Sequence, residues 1–229
     1  MDDHDSRTPG PLGRTLRHLM GDAAWTGMLD GAFERRHPIG TTLLRQGEPG
    51  THVLALLAGV AKVSRRERDG SVRLLAFRGP GELLGEVAVL DDGVRSASVQ
   101  AISDCTVAVL AKAAFLRFVA DRELFPVMVR YAMGRLRESD LARSGGDVVP
   151  RLAATLVALA DLSVGPAPTA GRRIELALTR DELAQHLGVS RNTVTTALAA
   201  LAAHHVETGR KSITLADLPA LRRAAAPAD

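Results

Sequence analysis

Leu178-Thr179-Arg180-Asp181-Glu182-Leu183-Ala184-Gln185-His186-Leu187-Gly188-Val189-Ser190-Arg191-Asn192-Thr193-Val194-Thr195-Thr196-Ala197-Leu198 is the stretch that decides the fold. Thr179 opens a capping box that Glu182 closes three residues on. Leu183, Ala184 and Leu187 give a short amphipathic helix, with His186 expected on its solvent side. Gly188 permits a tight turn, and Ser190 caps a second helix with apolar Val194, Ala197, Leu198 and Leu201. Helix, glycine turn, helix is a helix-turn-helix, although a plain helical hairpin would share the pattern. The start of the second helix is the part that meets base edges in a major groove. Here it carries Arg191, Asn192, Thr195 and Thr196, all able to hydrogen-bond. Val206 to Leu215 then predicts two short strands around Thr208-Gly209-Arg210-Lys211, a wing whose basic tip suits phosphate.

Upstream, Asp147 caps a predicted helix over Val148 to Leu162. Ser144-Gly145-Gly146 ends an earlier, longer helix from near Leu124 to Arg143, and a domain boundary is placed there. Phe125, Val129, Met133 and Leu136 are spaced 4, 4 and 3 on that helix and form one apolar stripe. Ser139 and Asp140 continue the same face as polar residues.

Before Lys112 the punctuation is different. Glycine recurs from Gly40 to Gly93, between short apolar or alternating runs such as His52 to Leu57, Val60 to Val63, Val72 to Phe77 and Cys105 to Leu110. That rhythm predicts an antiparallel barrel or sandwich. Asp69-Gly70 marks a hairpin within it, and Leu16 to Phe33 in front of it reads as helical. The chain is therefore α+β. Its 229 residues suit one large domain or two ordinary ones, and 46% hydrophobic content supplies a core. The formal charge is only +3, and the pI of about 9.6 arises because arginine makes up nearly all of the 29 basic residues. Charge alone is thus weak support for nucleic acid.

Gly85-Glu86-Val87-Ala88, followed seven residues later by Arg95-Ser96-Ala97, is the second informative constellation. Arginine gives a charge-assisted bond to a cyclic phosphate and serine adds a neutral one. A carboxylate accepts from a ribose hydroxyl, and the N–H groups of a glycine turn complete an anion nest. The plainer alternative is an ion pair between Glu86 and Arg95 across a surface loop.

Taken together, the chain resembles the cAMP receptor protein (Crp–Fnr) family of bacterial transcription regulators from about Leu16 to Leu221. The order barrel, long helix, helix-turn-helix, wing is matched, as are Arg45-Gln46-Gly47-Glu48-Pro49-Gly50, the 85–97 cassette and Gly188 to Val194. The resemblance implies a flexible segment 1–13, a jelly-roll cyclic-nucleotide barrel over 14–122, a dimerisation helix and hinge over 123–146, and a winged helix-turn-helix over 147–229. It implies a cytoplasmic homodimer sealed through Phe125, Val129, Met133 and Leu136. Gly85, Glu86, Val87, Ala88, Arg95 and Ser96 would hold the ribose phosphate, and Ser139 with Asp140 would face the base. The effector is cAMP first and cGMP second, with no other cofactor. Arg191, Asn192 and Thr196 would read bases, while Ser190, Thr193 and Lys211 would touch phosphates. RNA polymerase is an open further partner, and no membrane is implied. Asn192 and Thr196 stand where the best-known member has Glu and Arg, so the half-site should differ. Asp140 stands where a small hydroxyl residue is usual, and the hinge is short.

The alternative from another class is a nucleotide or small-ligand module with a degenerate pocket or no DNA role. An enzyme is not expected, because no Ser/His/Asp set or paired carboxylates fall at a recognisable spacing, and there are no catalytic candidates. His204 and His205 are adjacent and point apart, so no metal site is expected. The single cysteine, Cys105, excludes a disulfide framework and reads as a buried strand residue. The polar, charged stretch Met1 to Gly10 has no apolar run, so no signal peptide is expected.

Overall fold

The computed structural model describes residues 15–141, 147–164 and 173–225, with side chains in the first segment as far as Arg135. The chain opens with α1 (Leu16–Met20) and α2 (Asp22–Leu29). It continues through β1 (Phe33–His37), β2 (Thr42–Leu44), β3 (His52–Ala58), β4 (Ala61–Arg66), β5 (Val72–Arg78), β6 (Leu83–Leu84), α3 (Glu86–Leu90), β7 (Ser98–Ala101) and β8 (Cys105–Ala111). α4 (Lys112–Asp121), α5 (Phe125–Leu141) and α6 (Val148–Val164) follow. The chain then forms β9 (Ile174–Leu176), α7 (Arg180–Leu187), α8 (Arg191–Leu201), β10 (Val206–Thr208), β11 (Ile213–Leu215) and α9 (Leu218–Ala225).

The expected single helix over Leu16 to Phe33 is corrected. Gly21 sits at φ +82° and splits it into α1 and α2, and Phe33 begins β1 instead. β1 itself escaped the sequence because Phe33-Glu34-Arg35-Arg36-His37 is largely exposed and carries no alternation.

Two four-stranded antiparallel sheets, β1-β8-β3-β6 and β2-β7-β4-β5, face each other as a jelly roll. Leu54 and Leu56 of one sheet meet Leu44, Ala61, Val99 and Ala101 of the other in the core between them. Alternate residues Val53 and Ala55 of β3 point the opposite way, onto Leu16, Trp25, Phe115, Met128 and Tyr131 of the helices. β4 and β5 form the hairpin expected at Asp69-Gly70, with Gly70 at φ +84°. Cys105 is buried, and its thiol is pushed up to about 12 by desolvation and the nearby Asp104 carboxylate, so it is inert.

α5 carries two distinct faces. Met128, Tyr131 and Arg135, at steps of 3 and 4, turn toward the jelly roll. Phe125, Val129 and Met133 remain 50%, 58% and 49% exposed. The side chain of Leu136 lies outside the described residues.

The C-terminal part packs α6, α7, α8 and α9 with a three-stranded sheet β10-β11-β9, in which β9 is a strand the sequence did not announce. Its core is continuous with the jelly roll, because Val60, Leu74, Phe77 and Ile102 join Leu156, Leu176 and Leu183 in one cluster. Polar bonds fix the junction. The Ala177 N–H donates to the Ile102 carbonyl at 2.8 Å. Gln185 of α7 accepts from the Leu74 N–H at 2.5 Å and donates to the Val72 carbonyl at 3.2 Å. β5 is an edge strand, so this side chain amide completes hydrogen bonds the sheet leaves open.

Candidate ligand and nucleic-acid sites

Three segments knot together to form the cassette. Gly85 follows β6 at φ +81° and is the N-cap of α3. A Cβ there would overlap the Arg95 guanidinium and Leu44, so only glycine lets Arg95 pass beneath the turn. Arg95, 3% exposed, donates from Nη1 to the Gly85 carbonyl and from Nη2 to the His52 carbonyl, each at 2.5 Å. Its backbone is stitched to the 45–50 turn, with Arg95 N–H on the Glu48 carbonyl at 2.8 Å and Gly47 N–H on the Arg95 carbonyl at 2.9 Å. Desolvation holds the Arg95 pKa below that of a free arginine, while Glu86 and Glu48 pull it back up.

The loop ion pair between Glu86 and Arg95 is corrected. Glu86, 6% exposed, is paired with Arg135 of α5, Oε1 to Nη1 at 3.0 Å. Arg135 also donates from Nη2 to Glu82 at 2.9 Å and to the Leu83 carbonyl at 2.8 Å. Its guanidinium lies 4.2 Å from the Tyr131 ring centre, and the Tyr131 hydroxyl bonds Glu82. Sequence reasoning missed Glu82, Tyr131 and Arg135. A signal existed, since Arg135 falls four residues after Tyr131 and seven after Met128, a charged residue in an apolar register.

Of the expected ligand residues, Gly85, Glu86 and Arg95 are brought together. Ala88 is buried, Val87 is 50% exposed, and Ser96 is exposed. The side chains of Ser139 and Asp140, and the hinge Ser144-Gly145-Gly146, lie outside the described residues. A cleft of about 340 Å³ is lined by Arg35, His37, Leu43, His52, Leu54 and Val109 of the jelly roll. Glu86, Arg95 and Ser96 do not line it.

At the other end, α7 and α8 form the helix-turn-helix. The Thr179–Glu182 capping box is present, Gly188 is left-handed at φ +68°, and the Ser190 hydroxyl accepts from the Thr193 N–H. Val194, Ala197, Leu198 and Leu201 are buried. Arg191, Asn192, Thr193, Thr195 and Thr196 are exposed along one end of α8. Lys211 is exposed between β10 and β11, as a wing tip should be.

His186 is corrected: its ring packs 4.9 Å from Phe77 of β5 rather than facing solvent. It lies three residues after Leu183, on the buried face. Desolvation first, then the Arg151 charge, lowers its pKa below 6.5. A lowered pKa contributes stability that is complete above 6.5 and is lost as the pH falls below it. The melting temperature should therefore drop between about pH 7.5 and about pH 5.5, and less so in His186→Phe. Equal drops in both proteins would clear His186 of the acid sensitivity.

The sequence model of the cyclic nucleotide-binding domain matches residues 34–122, and that of the Crp-like helix-turn-helix domain matches 150–224. A CRP-like cAMP-activated global transcriptional regulator of Mycobacterium tuberculosis is 33% identical over 195 residues, covering 82% of this chain and 86% of that one. The chain belongs to the Crp family. A second Crp relative, the cyclic AMP receptor protein of Thermus thermophilus, is 33% identical over 175 residues, covering 74% and 77%. A crystal structure of a protein from Ruegeria pomeroyi superposes with a TM-score of 0.64 at 22% identity, covering 90% of each chain, and shares the fold. The Mycobacterium tuberculosis relative is named as a transcriptional regulator, and the Thermus thermophilus relative as a cyclic AMP receptor. No described helix is long and apolar enough to cross a membrane, and no described group of His, Cys, Asp and Glu is arranged to hold a metal.

Proposed function

We propose that this chain is a homodimeric cytoplasmic transcription regulator whose affinity for DNA is set by a cyclic nucleotide at the 85–96 cassette, cAMP before cGMP. The observation that carries this is the buried Arg95, clamped beneath the glycine turn beside Glu86. Each terminal guanidinium nitrogen carries two N–H bonds, so Arg95 can bind a cyclic phosphate while keeping both carbonyls. Ser96 and the N–H groups of the Gly85–Ala88 turn would complete the phosphate cradle, and Glu86 would accept the ribose 2′-hydroxyl. Ser139 and Asp140 would meet the base. Two 33%-identical relatives are named for cAMP, which supports ranking that nucleotide first.

Arg135 supports a route from ligand to dimer. It ties Glu86 to α5, the helix whose exposed stripe of Phe125, Val129 and Met133 would pack on its twin. A ligand that takes Glu86 disturbs this tie directly. Two copies would present Arg191, Asn192 and Thr196 to two half-sites, with Ser190, Thr193 and Lys211 on phosphates.

Calorimetric titration with cAMP, cGMP and a cyclic dinucleotide, followed by selection from random duplexes, tests this. A saturable heat with cAMP and an enriched near-palindrome are expected. An enriched palindrome without any nucleotide heat would leave a DNA-binding protein with a degenerate pocket, and nucleotide heat without enrichment would leave a ligand module. Arg191→Ala should cost about 1–3 kcal/mol on the selected site and relax one guanine position. Loss that is uniform across all sequences would make Arg191 a phosphate contact instead.

A further inference from the structure

We propose that the cleft walled by β1 is a second small-ligand site, built for a monoanion with an apolar body: an aryl or medium-chain acyl carboxylate. It is separate from the cassette, since Glu86, Arg95 and Ser96 do not line it.

β1 is an edge strand beside β8. Its Phe33, Arg35 and His37 stand opposite Val109, Val107 and Cys105. Cross-strand partners share a sheet face, and Val107 and Cys105 belong to the core between the two sheets. The three β1 side chains are therefore on the inward face, and the cleft takes all three into its lining while omitting Glu34 and Arg36. Arg35 is exposed there. Among the described residues no carboxylate lines the cleft, and none pairs with Arg35.

Phe33, 62% exposed, joins Leu43, Leu54 and Val109 as apolar surface in the same lining. An exposed aromatic beside a guanidinium without a counter-charge matches a ligand with an apolar body and an acidic head. The planar guanidinium fork suits a carboxylate, which it grips bidentately. The two histidines point to a single negative charge. Desolvation first, then the Arg35 charge, lowers the His37 pKa below 6.5. Desolvation and Arg95 lower that of His52, against the pull of Glu48. At neutral pH Arg35 is thus the one full charge in that lining, with two uncharged rings as hydrogen-bond partners. The volume of about 340 Å³ lies at the lower end of ligand pockets and suits a small acid of this kind.

Calorimetric titration of the full chain with 2-naphthoate, its neutral isostere 2-naphthamide, and octanoate tests this. Both acids should bind once per chain and tighter than about 1 mM, the reach of ligands this small. Naphthamide should bind about tenfold more weakly than naphthoate, the scale of hydrogen bonds to a charged group. In Arg35→Gln naphthoate should fall to the level of the amide, while Phe33→Ala should weaken acid and amide alike. Saturating cAMP should leave naphthoate bound. Equal binding of acid and amide by the wild type overturns the proposal, as does an unchanged acid in Arg35→Gln or displacement by cAMP. A wild type that binds neither acid at millimolar concentration overturns it too, and leaves Arg35 as an inward charge that guards an edge strand. Should Arg35→Gln self-associate for want of that guard, Arg35→Glu keeps a charge in place. It should abolish naphthoate binding and spare naphthamide, and naphthoate retained there also overturns the proposal. Arg35-dependent naphthoate binding in a chain that ignores cAMP would uphold this site and sink only the nucleotide reading.

Discussion

Lys62→Met should destabilise the folded chain by about 3 kcal/mol, the lower end of the range for removing one partner of a buried ion pair. Lys62 is 7% exposed, and its ammonium sits 2.6 Å from Glu182 and 3.1 Å from the Ala177 carbonyl. Methionine nearly matches its length and keeps the packing, so the loss is electrostatic. What remains is the Glu182 carboxylate, 18% exposed and without its cation. The lower end applies because Glu182 still accepts from the Thr179 N–H at 2.9 Å. Urea denaturation measures the loss directly. Adding Glu182→Gln to Lys62→Met should recover most of it, since glutamine also serves in a capping box and carries no charge to strand. No recovery would mean that Lys62 acts by packing rather than charge. A loss under about 0.5 kcal/mol would match an exposed pair, and would mean that the two parts of the chain separate freely in solution.

Val129→Asp should turn the proposed dimer into a monomer. Val129 is 58% exposed in the single chain, between Phe125 and Met133 at four-residue steps. In a two-fold pair the substitution enters the seam twice. Each aspartate would be buried without a partner, at several kcal/mol. The dimer dissociation constant should therefore rise by about a thousandfold or more, roughly 4 kcal/mol. Sedimentation equilibrium reads this, while the melting of the monomer itself should barely change because the position faces outward. A dimer that survives Val129→Asp would place the seam elsewhere, and a wild type monomeric at all concentrations would remove the dimer altogether.

The helix-turn-helix was legible because its signals are local. As caps and turn, Thr179, Glu182, Gly188 and Ser190 each act within four residues of themselves, and all four do in the structure what those positions implied. The jelly roll was legible as a rhythm of glycines, but β1 was not, since its charged residues satisfy no periodicity. The candidate site was half legible. Gly85, Glu86 and Arg95 are near in sequence and form one motif, whereas Arg135 reaches Glu86 from 49 residues away. Lys62 and Ala177 are 115 residues apart, and nothing in either neighbourhood announces the other. Sequence places His186 toward solvent because the second wall of its environment, Phe77, belongs to a distant strand. Long-range polar pairings of this kind are fixed by topology, which local pattern does not encode.

The Gln185 amide on β5 also bears on how the protein behaves outside the cell. Whenever α7 leaves the jelly roll, the Leu74 N–H and Val72 carbonyl are laid bare on an edge strand flanked by Val72 and Leu75, 48% and 40% exposed. Such an edge is a template for pairing with a foreign strand. Deleting the C-terminal part to obtain a minimal nucleotide-binding fragment would uncover that template permanently, together with the apolar faces of Leu74 and Phe77. Aggregation of that fragment would then report a lost cover, not a misfolded jelly roll, and Leu75→Lys on the open strand is the substitution that should keep it in solution.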